Sequence, residues 1–221
     1  MKKIKISGIL ALVLVAAICI TSGFTEKHKF PEIKSKEWKT TDLKAGDIVF
    51  QVSLSGQGKA IQLATKSKYT HCAIILDDGK GPYVFEAVQP VKRTAVEEWI
   101  EQGDDQHYVV KRLKNADKVL TPAVLKKMNS ASKQFIGKDY DITFEWSDKK
   151  IYCSELVWKM YQRCTGIEIS TPQKLRDFDL TSNIVKEKMR ERYGSNIPLD
   201  ETVISPAALF DSNLLTAVVS R

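Results

Sequence analysis

The Asp78-Gly79 dipeptide, lodged between two apolar runs, constrains this chain more than any other short feature. Asp-Gly supplies the positive-φ backbone of a tight hairpin, so the runs at about 70–77 and 83–88 are expected to pair antiparallel. With a two-residue loop, Asp77 faces Lys80 and His71 lies directly opposite Glu86. A four-residue loop shifts the pairing by two and keeps both side chains on one face, whereas an odd loop separates them. Glu86 interrupts the apolar run Tyr83-Val84-Phe85-Glu86-Ala87-Val88. A carboxylate there is costly unless it is paired or hydrogen-bonded. A histidine across the ladder would satisfy it and orient the imidazole. A plain strand ion pair, or a glutamate on a solvated face, fits the hairpin as well.

A second constraint lies in Ile151-Tyr152-Cys153-Ser154-Glu155-Leu156-Val157-Trp158. Helical spacing puts Cys153, Leu156, Val157, Met160, Tyr161 and Cys164 on one stripe, with Cys153 in the first turn. Free backbone N–H groups and the helix dipole there favour a thiolate, and the N–H of Cys153 or Ser154 could donate to a developing oxyanion. A cysteine on an apolar stripe is also an ordinary small buried residue, the reading that suits Cys164. Cys72 neighbours His71 but points to the opposite face of its strand, which makes it a weaker nucleophile candidate.

Further elements follow from pattern. Gly46-Asp47 precedes a short strand at Ile48-Val49-Phe50-Gln51-Val52, Gly58 to Lys66 reads as a short helix, and Tyr108 to Leu113 as another strand. A helix begins at Thr121 as N-cap with Pro122 at N1. It turns Val124, Leu125, Met128, Ala131 and Phe135 inward and stops at Gly137. A charged helix runs from about Ser182 to Tyr193 and ends at Gly194, and the tail from Ile197 is punctuated by Pro198 and Pro206. Strands first and helices mostly later indicate an α+β domain.

At the N-terminus, Lys2, Lys3 and Lys5 precede an apolar stretch from Ile9 to Ile20 and the small residues Thr21-Ser22-Gly23, the layout of a cleaved signal peptide over residues 1–23. The apolar run is short for a membrane span. Cys19 raises lipid anchoring, but Ile18 stands before it where a small residue is expected. Export to a periplasm or cell surface is therefore the expectation, with residues 24–44 a surface segment and 45–221 the functional domain. Loss of the leader's three lysines lowers the formal charge from +7 to +4. This mild, dispersed excess suits an envelope or membrane surface and gives no argument for nucleic acid. The remaining cysteines are Cys72, Cys153 and Cys164, an odd number, so at least one stays free or pairs between chains. Cys153 and Cys164 on one helix stand about 16 Å apart, too far to bridge. There is no CxxC pair and no HExxH, so no zinc pattern and no implied cofactor.

Taken in order, Gly46-Asp47-Ile48-Val49, Thr70-His71, Val84-Phe85-Glu86-Ala87, Gly137-Lys138-Asp139-Tyr140-Asp141 and Tyr152-Cys153-Ser154-Glu155-Leu156-Val157 resemble the YiiX-like group. That group belongs to the permuted papain-fold enzymes related to NlpC-type cell-wall peptidases and lecithin:retinol acyltransferase. The resemblance runs from about residue 43 to about 212, including Asn196 to Thr202. It implies a circularly permuted papain-like fold, an antiparallel sheet or small barrel packed against helices. It also implies Cys153 as nucleophile, His71 as general base and Glu86 as the residue orienting it. Tyr140 matches an aromatic residue lining the cleft near the oxyanion site, with Tyr152 a lesser candidate. The expected activity is a cysteine hydrolase cleaving an amide, in cell-wall peptides first, through an acyl-thioester. The alternatives are a lipid amidase, thioesterase or acyltransferase with the same triad, or a silent module binding a wall peptide or amino acid.

Overall fold

The computed structural model describes residues 43–221. The expected signal peptide, and the expected surface segment through residue 42, lie outside the described residues. From residue 43 the chain forms β1 (Ile48–Ser53), α1 (Gly58–Thr65), β2 (His71–Asp77), β3 (Pro82–Glu86), β4 (Lys92–Thr94), α2 (Val96–Glu101) and β5 (Gly103–Leu113). It continues through α3 (Ala116–Val119), α4 (Pro122–Ser132), α5 (Cys153–Thr165), β6 (Gln173–Lys174), α6 (Asn183–Tyr193), β7 (Thr202–Val203), α7 (Pro206–Phe210) and β8 (Leu215–Ser220). Six of these strands make one open antiparallel sheet in the order β4-β3-β2-β1-β5-β8, and β6 and β7 form a separate ribbon. The fold is α+β, and of the two expected arrangements the sheet forms rather than the barrel.

The β2–β3 hairpin has the wider of the two even loops. Ile74 pairs with Phe85 and Asp77 with Pro82, which leaves residues 78–81 in the turn. The reason is local. The Asp77 carboxylate accepts from the N–H groups of Gly79 at 2.7 Å and Gly81 at 3.2 Å. Both glycines take positive φ, +94° and +113°, so the turn closes around Asp77 rather than at Asp78-Gly79 alone. The pairing shifts by two, parity survives, and Glu86 falls diagonal to His71 instead of opposite it.

The core lies between the sheet and its helices. α4 and α5 pack on β2, and α2 packs on β3 and β5. The expected stripe of α5 is buried along its whole length, as are Met128 of α4 and Phe135; α4 ends at Ser132 rather than at the expected Gly137, and Phe135 lies in the turns that follow it. Thr121 caps α4 and Ser182 caps α6 through their side chains, and Gly194 follows the last turn of α6. The tail is more ordered than its prolines suggest. Ser205 caps α7 with Pro206 at N1, and β8 adds to the edge of β5.

One junction ties three elements together. Gly46, at φ +90°, donates its N–H to Ile75 O at 2.7 Å, and its carbonyl accepts from the Tyr161 hydroxyl of α5. The neighbouring Asp47, fully buried, receives Arg112 of β5 through Nε at 2.6 Å and Nη2 at 2.7 Å. Removing Asp47 takes two charge-assisted bonds from a guanidinium whose side chain is only 18 % exposed. Asp47→Ala is expected to destabilise the fold by about 3–5 kcal/mol in urea unfolding. Tyr161→Phe, which loses one neutral hydrogen bond, should cost about 1 kcal/mol. Equal, small effects would remove the junction from this role.

Candidate active site

The first turn of α5 is held by more than helix propensity. Tyr152 takes extended backbone as N-cap, and Glu155 at N3 accepts from the Tyr152 N–H at 3.4 Å, one arm of a capping box. The Ser154 hydroxyl donates to Ile204 O at 2.8 Å, while the Ile204 N–H donates to the Tyr152 hydroxyl oxygen at 3.1 Å. The side chains of Tyr152 and Ser154 thus clamp the helix start to the segment after β7, although both also line a cleft. Cys153 sits at N1 with 3 % of its surface exposed.

On the sheet side, His71 Nε2 lies 2.8 Å from Glu86 Oε2, and the Thr94 hydroxyl donates to Glu86 Oε1 at 2.5 Å. Both carboxylate oxygens of this buried glutamate are therefore satisfied, which answers the cost of placing it in a strand. With Nε2 engaged, Nδ1 is the ring nitrogen left for the Cys153 thiol, with which His71 interacts directly. Trp99 of α2 packs beside the imidazole at 6.1 Å between ring centroids.

Cys72 joins the site as well. Alternation turns its side chain away from His71, toward the α5 side, where it is fully buried. The β2–β3 ladder stops at Ile74–Phe85, so Cys72 lies beyond the paired part of β2, and α5 packs on the same strand. Both the thiol and the backbone N–H of Cys72 hydrogen-bond Cys153. Strand periodicity places Cys72 on the correct face, but it carries no information on where a distant helix end will land. Cys72, Cys153 and Cys164 are all free thiols.

Donors converge on the Cys153 sulfur. Hydrogen bonds from Cys72 and then from His71, with the imidazolium charge, outweigh the opposing effect of burial and hold the thiol well below its usual range. Burial alone would lower the His71 value, but its bonds to Cys153 and Glu86 prevail and raise it to about 10. Burial pushes Glu86 up, and the pairing with His71 overrides this, so the carboxylate titrates below its normal range. These shifts together favour a thiolate at Cys153, an imidazolium at His71 and a carboxylate at Glu86. Burial, followed by the charge of the Cys153 thiolate, keeps the Tyr140 hydroxyl protonated. Its loop is anchored by Gln89, which accepts from the Tyr140 N–H at 2.7 Å and donates to Asp139 at 2.6 Å.

Two clefts meet here. One is walled by Ala60, Ile61, Phe144, Leu175, Phe178 and Met189, with Cys153 on its wall. The other is bordered by Ser53, Thr70, His71, Glu86, Asp139 and Lys150. Gln57 and Tyr140 line both. Among the described residues, no group of three or more His, Cys, Asp or Glu side chains is arranged to hold a metal ion. Gln57 and Thr94 went unnoticed in the sequence because each is a lone polar residue without periodicity. His107 contacts Lys68 and Tyr69.

The thiolate exists above the depressed Cys153 value and is lost as pH falls through it, and the imidazolium persists until pH rises through about 10. Iodoacetamide alkylation of Cys153, followed by mass spectrometry of its peptide, should have its midpoint well below the value near 8.5 of an ordinary thiol. His71→Ala should move that midpoint upward. A wild-type midpoint at or above about 8.5 would contradict the ion pair.

The model for the permuted papain-like amidase enzymes of the YaeF/YiiX, C92 family matches residues 42–219. The protein YiiX of Escherichia coli strain K12 is 49 % identical over 176 residues, covering 80 % of this chain and 86 % of its own. A crystal structure of the metalloprotein yiiX from Escherichia coli O157:H7 superposes with a TM-score of 0.78 at 47 % identity, covering 81 % of this chain and 98 % of that one. The chain belongs to the YaeF/YiiX (C92) family of permuted papain-like cysteine amidases.

Proposed function

We propose that this protein is an exported amide hydrolase in which Cys153 is the nucleophile, His71 the acid–base group and Glu86 the residue that orients it. The observation that carries this reading is the buried line from Cys153 through His71 to Glu86, closed by the 2.8 Å contact. The thiolate attacks the amide carbonyl carbon. His71 then gives its proton to the departing amine, and water, deprotonated by His71, releases the acid from the thioester. The oxyanion forms near the N–H groups of the first turn of α5 and the Tyr140 hydroxyl.

Proton transfer also sets direction. The amine must leave on the side where His71 stands, which is the polar cleft. The acyl group then extends from Cys153 into the apolar cleft. The substrate that suits both is an apolar acyl chain amide-linked to a polar amine, as in a lipid amide at an envelope or membrane surface. Cell-wall peptides, the first expectation from sequence, are the second reading. The polar cleft favours them for the amine side, but polar stem-peptide groups in the apolar cleft would be buried at a cost.

Turnover of N-acyl glycines from acetyl to palmitoyl separates the two. Each methylene entering the apolar cleft contributes roughly 0.8 kcal/mol, about fourfold in kcat/KM. Activity should climb with chain length, vanish in Cys153→Ala, and fall by at least about a hundredfold in Glu86→Gln. Faster release from muropeptides than from any acyl glycine would instead establish the wall-peptide reading.

A further inference from the structure

Three polar side chains form a chain that ends at the reacting sulfur. Arg192 of α6 donates from Nη2 to Gln57 Oε1 at 2.6 Å, and Gln57 Nε2 donates to the Tyr140 hydroxyl oxygen at 3.0 Å. Tyr140 lines the same cleft wall as Cys153, near enough for the charge of its thiolate to raise the Tyr140 hydroxyl. The direction of this chain is dictated by chemistry. A guanidinium has donors only, so the amide oxygen of Gln57 must face Arg192 and its NH2 must face Tyr140. The Tyr140 oxygen is thereby made an acceptor on the Gln57 side, and its single proton points the other way, toward Cys153.

We propose that Arg192 and Gln57 are positioning residues that fix Tyr140 as a hydrogen-bond donor to the Cys153 centre, first to the thiolate and then to the oxyanion of the tetrahedral intermediate. Without them the phenol rotor is free to turn its proton elsewhere, and the donor must reorganise during reaction. With them the dipole is preset, the condition under which a single oxyanion donor is worth the most. Arg192 adds its charge at the far end of the chain, where it polarises the Gln57 amide toward stronger donation. The cation also lies over the Phe144 ring, 4.9 Å from its centroid. The chain spans α6, the turn before α1 and the loop before α5, so no local pattern in the sequence brings these residues together.

This inference rests on Cys153 as the nucleophile, and the test keeps the two apart. The probes are iodoacetamide for the thiolate and dodecanoyl 4-nitroanilide for turnover, applied to the full chain. Tyr140→Phe is expected to raise the alkylation midpoint of Cys153 by about one pH unit, the loss of one hydrogen bond to a charged acceptor. It should also lower kcat by roughly a hundredfold with KM little changed. Gln57→Leu should reproduce most of both effects alone and add almost nothing on top of Tyr140→Phe. Arg192→Met should give a smaller shift in the same direction, partly restored in Arg192→Lys. A midpoint unmoved by Gln57→Leu, or effects of Gln57→Leu and Tyr140→Phe that simply add, overturns the relay while leaving the nucleophile intact. Undiminished turnover in Cys153→Ala overturns the nucleophile, and the alkylation midpoints still report on the relay because they need no substrate. Thermal melting separates any variant that fails to fold, in which case Gln57→Met replaces Gln57→Leu.

Discussion

The site depends on one act of packing: the N-terminus of α5 is driven against β2 just where β3 has left the ladder. The force is unspecific, since Leu156, Val157, Met160 and Tyr161 bury against the sheet as any amphipathic helix would. Its placement is specific. The Tyr161 hydroxyl on the Gly46 carbonyl and the Asp47–Arg112 pair fix how far along β2 the helix can sit. The clamp of Tyr152 and Ser154 on Ile204 fixes the end itself. A helix displaced by one residue would present Tyr152 or Ser154, not Cys153, to His71.

That packing buries charge, and the structure meets the cost with donors rather than with exposure. Glu86 has both oxygens occupied, by His71 and Thr94. The Cys153 sulfur draws donors from Cys72 and His71. In a dry setting each of these bonds is stronger than it would be in water, and each also penalises any state in which its partner is missing. The same polarity that stabilises the thiolate is what the proposed reaction spends at the oxyanion. Deeper along α5, Glu155 faces Lys159 at 2.7 Å, and burial still lifts its carboxyl to about 8, so a single close cation does not offset desolvation there.

Much of this was legible in the sequence, for reasons that differ by element. The α5 stripe, the Thr121-Pro122 start of α4 and the parity of the hairpin are local signals, written within a few residues. The exact register was not, because Asp77 rather than Asp78-Gly79 organises the turn. β4, α2, α7 and β8 are too short or too exposed for periodicity, and α7 is marked only by Ser205-Pro206, the same start signal that marks α4. The contact of Cys72 with Cys153, and the Arg192–Gln57–Tyr140 chain, join residues far apart in sequence through tertiary packing alone. His71 and Glu86 could be paired from strand geometry, whereas Thr94 could not.

The two clefts give the site a polarity that the proposed triad by itself lacks. A thiolate and an imidazolium can attack and protonate from either side, but Cys153 opens on the apolar cleft and His71 on the polar one. Gln57 and Tyr140 stand on the wall common to both, where a carbonyl oxygen crossing from one to the other would have to pass. In the proposed reaction, the residues that hold the oxyanion donor are therefore also those that divide acyl from amine. Arg192, packed on Phe144 and bonded to Gln57, belongs to the acyl side and acts across that wall. Binding of an apolar acyl chain would exclude water from around this cation, lower the local dielectric and strengthen its hold on Gln57. In the proposed reaction, occupancy of the acyl cleft would thus be coupled to the strength of the donor at the reacting carbon, and a longer chain would gain in the transition state beyond what it gains in binding.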